Sequence, residues 1–283
     1  MRTSQAEKGR NFRALHQRSN AFIIPNPWDV GTARLLSHLG FEALATTSAG
    51  YAFSAGRSDG SIRRDDMLAH VAAIAAATDL PVSADLEHGY GDAPASAAET
   101  IKLAAAAGLV GGSIEDSTGR ADQPLYGIAQ AAERIRAAAE AAHALPFPFM
   151  LTARAENYLV GKPDIKDTIA RLQAYQEAGA DVLYAPGLVN REDIAAVVSS
   201  VDRPVNVVMG LQGVSMTLAE LSALGVRRVS TGSALSRAAL GAFMRAAKEM
   251  QEHGSFSFAE AAVSSRELNT LFKTDAGDTS PAG

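Results

Sequence analysis

Cysteine is absent from the 283 residues. That excludes disulfides, thiolate metal sites and a cysteine nucleophile together. A strong charge of either sign is missing too: 26 basic against 31 acidic residues give a net charge of −5. Such mild acidity makes no electrostatic case for a nucleic acid partner or a membrane surface. No apolar run reaches the roughly 20 residues that span a bilayer. The polar N-terminus MRTSQAEKGRNFRALHQRSN carries no signal-peptide core, so a cytoplasmic protein is the expectation. Lysine is scarce, and only Lys162 falls in a loop where a Schiff-base aldolase would want one. A glycine-rich dinucleotide loop is also lacking.

What is present is a repeat of short apolar runs and longer Ala/Leu-rich stretches. The runs begin at Phe22, Phe41, Pro81, Leu109, Phe149, Ala180, Pro204 and Val226. The stretches between them read as helices, and several end in a glycine followed directly by the next run, as in HLGFEA, AAGLVGG, EAGADVL and ALGVRRV. Strand then helix, about eight times, predicts a single (β/α)8 TIM barrel over residues 1–272 with extra C-terminal helices. A doubly wound open sheet is the alternative. FSFAEAAVSSRELNTLF supplies the extra helices, whose apolar positions need a partner on the barrel or on another subunit. The tail 273–283 reads as disordered.

In such a barrel the C-terminal strand ends converge on one site. The run VSADLEHGYGD places Asp85 and Glu87 at a strand mouth and then turns through Gly89 and Gly91. Two acids there are costly to desolvate without a positive partner. Neighbouring ends contribute Thr47, Ser48, Ala49 and Gly50, with Asp59 in the loop beyond, then Glu115 and Asp116, Arg154 and Glu156, Tyr184, and Asn206. Hard oxygen donors without sulfur suit Mg2+ or Mn2+. An opposing arginine suits a substrate carboxylate. Small residues at Thr47–Gly50 suit an oxyanion through backbone N–H groups. Each acid also has a structural reading as a helix cap or ion-pair partner, and Asp116 fits that reading best. His88 reads as a support to the acids rather than a ligand. Gly232 and Ser233 open a helix that suits either a phosphate or an ordinary turn.

The ordered set PNPWDVGTARLL, TTSAG, ADLEHGYG, GGSIED, LTARAENYL and PVNVV resembles the isocitrate lyase/phosphoenolpyruvate mutase superfamily over about residues 10–272. The resemblance implies a (β/α)8 barrel whose last helix is swapped between subunits of a homotetramer built as a dimer of dimers. It implies Mg2+ and a small carboxylate substrate of the 2-oxo acid, 2-hydroxy acid or phosphonate type. It places Asp85, Glu87 and Glu115 on the metal-site acids, with Asp59 acting through water. Arg154 falls on the substrate-binding arginine, and Thr47–Gly50 on the oxyanion or carboxylate pocket. Two signatures of the superfamily are missing: the Lys-Lys/Arg-Cys-Gly-His loop of the isocitrate and methylisocitrate lyases, and the Lys-Thr-Asn-Ser loop of the phosphonate mutases. EDSTGRADQPLYG stands there instead and reads as a lid hinged at Gly119 and Gly127. The expected chemistry is cleavage of a C–C bond next to a 2-oxo group through a metal-stabilised pyruvate enolate. It would be either decarboxylation of an oxaloacetate-like acid or retro-aldol cleavage of a substituted malate, with Glu156 or Tyr184 as the proton-handling group. Alternatives are a P–C bond enzyme of the phosphonopyruvate hydrolase or phosphonomutase kind, and a non-catalytic metabolite-binding barrel.

Overall fold

The computed structural model describes residues 3–273; the tail expected to be disordered lies, from residue 274 on, outside the described residues. All eight apolar runs form strands: β1 (Phe22–Ile24), β2 (Leu44–Ala45), β3 (Val82–Asp85), β4 (Gly111–Glu115), β5 (Met150–Arg154), β6 (Val182–Tyr184), β7 (Val205–Val208) and β8 (Arg228–Ser230). They pair in parallel in the order β1-β8-β7-β6-β5-β4-β3-β2. The β1–β2 seam is bridged by the Ala45 N–H, which donates to the Pro25 carbonyl at 3.1 Å, so the barrel is nearly closed. Asn26 reinforces the seam. Its Nδ2 donates to the Thr46 carbonyl at 3.0 Å, while its Oδ1 accepts from the N–H groups of Thr231 and Gly232 at 2.8 and 2.9 Å.

Eleven α-helices lie among the described residues. α1 (Gln5–His16) precedes the barrel. The connecting helices are α2 (Val30–His38), α3 (Ser48–Ser54), α4 (Arg64–Ala76), α5 (Pro94–Ala106), α6 (Ile128–His143), α7 (Ile165–Glu177), α8 (Arg191–Ser199) and α9 (Leu218–Ala223). α10 (Ala234–His253), a short 3-10 turn (Ser257–Ala261) and α11 (Ser265–Phe272) follow β8. The four glycines predicted to stop helices, Gly40, Gly108, Gly179 and Gly225, all take left-handed backbone with φ of 84–102°. That conformation ends the helix and costs glycine no Cβ clash.

Two apolar cores result. One fills the layer between strands and helices, around Leu36, Val71, Ile101, Ile135, Leu172 and Leu221. The other fills the lower barrel, where Phe12 and Leu15 of α1 meet Phe22, Ile24, Val110 and Met150. α1 is therefore a plug for the N-terminal end. Its His16 ring meets Phe12 and Phe22 edge-on at 4.7 and 5.1 Å. α10 behaves differently: of its 20 residues only Ser236 is buried, and Leu240, Phe243 and Met244 are exposed. α11 returns to the barrel, where Arg34 of α2 donates to the Phe272 carbonyl at 2.9 Å. No helix of the described residues is long and apolar enough to cross a membrane.

Candidate active site

Strand register brings the expected residues into one ring. Glu115 pairs with Arg154, Arg154 with Tyr184, and Tyr184 with Asn206. Arg154 is its hub. Nη1 lies 3.3 Å from Glu115 and 3.5 Å from Asp85, Nε and Nη2 both bond Glu156, and the guanidinium sits 5.4 Å over the Tyr184 ring. Asp85 is fixed from the other side, accepting from the Ser48 hydroxyl at 2.7 Å and the Ser48 N–H at 3.2 Å. The Asp85 N–H in turn donates to the Thr46 hydroxyl at 3.2 Å.

The LEHGY turn carries backbone strain. Glu87 and Tyr90, at φ 49° and 58°, are the non-glycine residues with left-handed backbone among the described residues. Such conformations cost about 1–3 kcal/mol each and persist where the surroundings enforce them. Here the enforcing group is Arg134, fully buried on α6, which donates to the carbonyls of His88, Gly91 and Asp92. Glu87 is thereby turned inward, and its Oε1 is buried with no hydrogen-bond partner. His88, in the same turn, lines one cavity together with Glu87.

Glu156 is held from below. Asp116 accepts from the Glu156 N–H at 2.8 Å, from Arg171 at 3.0 Å and from the Tyr175 hydroxyl at 2.5 Å. Asp116 is thus an ion-paired support, as its structural reading anticipated. Burial sets the electrostatics above it. It raises Glu115 well above the usual carboxylate range, helped by Glu156 and Asp85 and opposed by Arg154. It raises Glu156, and it pushes Glu87 up to about 7 with Asp85 and Asp59 adding to it. Asp59, on the rim, is raised by burial and then by Asp85. Tyr184 goes up to about 12, chiefly through burial, so it holds its proton at neutral pH.

Two cavities meet at Ser48, Asp59 and Arg154. One of about 360 Å³ is lined by Asp59, Glu87, Glu115, Glu156 and Ser117. The other, of about 190 Å³, is lined by Thr47, Ser48, Ala49, Tyr184 and Gly232. The four acids expected at a metal share this space without closing on one point. Among the described residues no three His, Asp or Glu side chains form a ready ligand cluster, since Arg154 bridges Asp85 and Glu115.

Three expectations need correction. Of the Thr47–Gly50 N–H groups expected to meet an oxyanion, two are already taken: Ser48 donates to Asp85 at 3.2 Å, and Gly50 donates at 3.2 Å to the hydroxyl of Thr47, the N-cap of α3. Gly50 faces away from the cavities, and a Cβ there would lie 3.0 Å from Trp28 and 3.3 Å from Ser236, so its smallness serves packing. Asn206 is buried within the barrel, donating to Ser230 at 3.0 Å and accepting from Arg228 at 2.9 Å, rather than standing at the mouth. Of the proposed lid hinges, Gly119 has φ 69°, whereas Gly127 has an ordinary φ of −59° as the N-cap of α6. The lid segment is itself pinned. Ser117 bridges to Leu125, the Thr118 N–H donates to the Pro124 carbonyl at 2.9 Å, and Arg120 pairs with Asp92 at 2.8 Å.

Arg134 and Arg228 escaped the sequence reading. Alternation along VRRVS does signal the second, because period two sends one of the paired arginines into the barrel.

Comparison with known proteins fits this geometry. A family model described as phosphoenolpyruvate phosphomutase matches residues 12–251. An uncharacterized Mycobacterium tuberculosis protein is 35% identical over 86% of this chain and 89% of its own. The oxaloacetate decarboxylase of Chromohalobacter salexigens is 28% identical over 96% and 93%. A solved Burkholderia cenocepacia J2315 structure described as a candidate lyase/mutase is 65% identical, with TM-score 0.94 over 95% of this chain and 97% of that one. More distant structures include oxaloacetate acetylhydrolase with its product oxalate (25% identity, TM-score 0.84, 95% and 94% covered). A 2,3-dimethylmalate lyase has 26% identity and TM-score 0.82, and phosphonopyruvate hydrolase with oxalate and Mg2+ has 26% and 0.81, each covering 93% of this chain and 94% of its own. The chain therefore belongs to the phosphoenolpyruvate phosphomutase family and is an enzyme of the wider isocitrate lyase/phosphoenolpyruvate mutase superfamily.

Proposed function

We propose that this enzyme is a Mg2+- or Mn2+-dependent lyase that cleaves a C–C bond of a small 2-oxo or 2-hydroxy diacid, releasing pyruvate or a close analogue. One observation carries the reading: Asp59, Asp85, Glu87, Glu115 and Glu156 gather at one mouth around the guanidinium of Arg154, with only Arg237 added from the wall of the adjoining cavity. Such an excess of half-buried carboxylates calls for a further cation. The donor set fits a hydrated Mg2+, which takes one or two carboxylates and keeps several waters. Asp85 and Glu87, whose Oε1 has no partner, would hold it, with Glu115 and Asp59 acting through water. When bound, the cation would withdraw charge from the substrate's 2-oxo or 2-hydroxy oxygen.

The chain's own residues do the rest. Arg154 holds a substrate carboxylate in its planar fork and exchanges its contacts with Asp85 and Glu115 for it. Ser48 keeps Asp85 oriented. Glu156, whose backbone N–H donates to the Asp116 carboxylate, takes the hydroxyl proton in a retro-aldol cleavage, and the protonated Tyr184 returns a proton to the enolate carbon. The relatives named for oxaloacetate and dimethylmalate support this bond choice. A phosphonate is less favoured, because a phosphoryl group wants free cations around it. The lid arginine, Arg120, is already paired with Asp92.

The exposed apolar face of α10 supports a homo-oligomer in which that helix packs on a second copy; a monomer by light scattering would rule this out. The function is tested by pyruvate formation from oxaloacetate, substituted malates and phosphonopyruvate, with Mg2+ and with chelator, after subtracting the metal-only background. Chelator-sensitive turnover of a C4 or larger diacid is expected. Turnover of phosphonopyruvate alone would overturn the bond assignment.

A further inference from the structure

Beneath the ring of acids the barrel interior is polar where such barrels are normally filled by branched apolar side chains. A chamber of about 60 Å³ is lined by Thr46, Ser83, Ser113, Asn206, Ser230 and Arg228, and it opens upward against Asp85, Arg154 and Tyr184. That volume holds about two waters at roughly 30 Å³ each, or one carboxylate group. Arg228 reaches into it from the start of β8. It is 5% exposed, Nε donates to Asn206 at 2.9 Å, and Nη2 crosses the barrel to the Thr152 hydroxyl at 3.0 Å. Nη1 is buried with no partner.

Arg154 and Arg171 meet carboxylates. Arg134, like Arg228, has neutral hydrogen-bond partners and a buried unpartnered nitrogen, but it is spent on three carbonyls of the strained turn. Arg228 instead lines a polar chamber, and burial pushes it down to about 10. A desolvated cation without a counter-charge is costly to keep, and one facing a polar chamber next to an active site is suited to an arriving anion.

We propose that Arg228 is the deep anion anchor of this active site, taking the distal carboxylate of a diacid whose other end is held at Arg154. The choice of a diacid rests on the reading above. The chamber sets the specificity: an acid lacking the second carboxylate leaves Arg228 unpaired and binds weakly, whereas a bulky apolar substituent finds no room among the serines and Asn206.

The test compares malate with lactate, which is malate without its distal carboxylate, by calorimetric binding in the presence of Mg2+. The native enzyme is expected to bind malate at least about 10-fold more tightly. Arg228→Met, of similar volume, should weaken malate by about 10-fold or more and lactate by less than about 2-fold. Equal losses for both ligands, or no malate binding by the native enzyme, would overturn the proposal. If the variant does not fold, nitrate titrated into the native enzyme decides. Competition with malate but not with lactate supports the anchor, and an unchanged malate affinity overturns it. These readouts need no turnover, so a failure of the lyase reading would appear separately, as absent pyruvate formation.

Discussion

The two ends of this barrel are built on opposite rules. At the base, α1 closes the strands with Phe12 and Leu15 over Phe22, Ile24 and Met150, and a single imidazole nitrogen of His16 is left unpartnered among these apolar side chains. At the mouth, carboxylates crowd Arg154, Glu87 keeps an unpartnered oxygen and a strained backbone, and Arg228 waits below with an unpartnered nitrogen. The base maximises contact, and the mouth stores unmet electrostatic demand. The contrast shows where stability and activity can be changed independently.

Asp85→Asn should break the contrast most sharply. It should lower kcat/KM by at least about 10³-fold while the melting temperature stays level or rises, because one member of a repelling cluster has lost its charge. Parallel kinetics and thermal melts check both halves of that expectation. Asp116→Ala attacks the floor between the two ends, leaving Arg171 and the Tyr175 hydroxyl buried without their acceptor. A destabilisation of about 3–5 kcal/mol by urea unfolding is expected, together with reduced activity from a misplaced Glu156.

His16 probes the base. Burial first, then the Arg228 charge, holds it down to about 3 against a carbonyl bond to Phe12 that raises it. Above pH 6.5 both folded and unfolded chains carry the neutral ring. Below it the unfolded chain takes a proton that the folded one refuses, so stability is lost as pH falls, by up to about 1.4 kcal/mol per unit. His16→Gln should flatten the stability profile between pH 6.5 and 5 and leave activity at neutral pH unchanged. Ser48→Ala is the mildest. Losing one hydroxyl from Asp85 should cost about 10-fold in kcat/KM with no measurable effect on stability.

Much of this was legible in the sequence. Strands came from branched apolar runs and helix stops from glycines such as Gly108 and Gly179, because both signals are local. Asp85, Glu87, Glu115 and Arg154 were legible because strand ends in a barrel must converge. The Thr47 cap, which reaches only three residues to Gly50, was a local signal that the strand pattern masked. The burial of Asn206 and the clamp from Arg134 were not legible, because both depend on partners far along the chain, Arg134 lying 46 residues from the His88 carbonyl it captures. The free nitrogen of Arg228 depends on what is missing around it, and no local pattern encodes an absence.

The seam at Asn26 has a chemical consequence as well as a mechanical one. A carboxamide that ties β1 to the ends of β2 and β8 would fail if it hydrolysed, since an acid offers no N–H to the Thr46 carbonyl. The usual route of such ageing is attack on the side-chain carbonyl by the next residue's backbone nitrogen. That residue is Pro27, whose nitrogen carries no hydrogen and cannot close the ring. The stitch that holds the barrel shut is thereby protected from the commonest way an asparagine wears out.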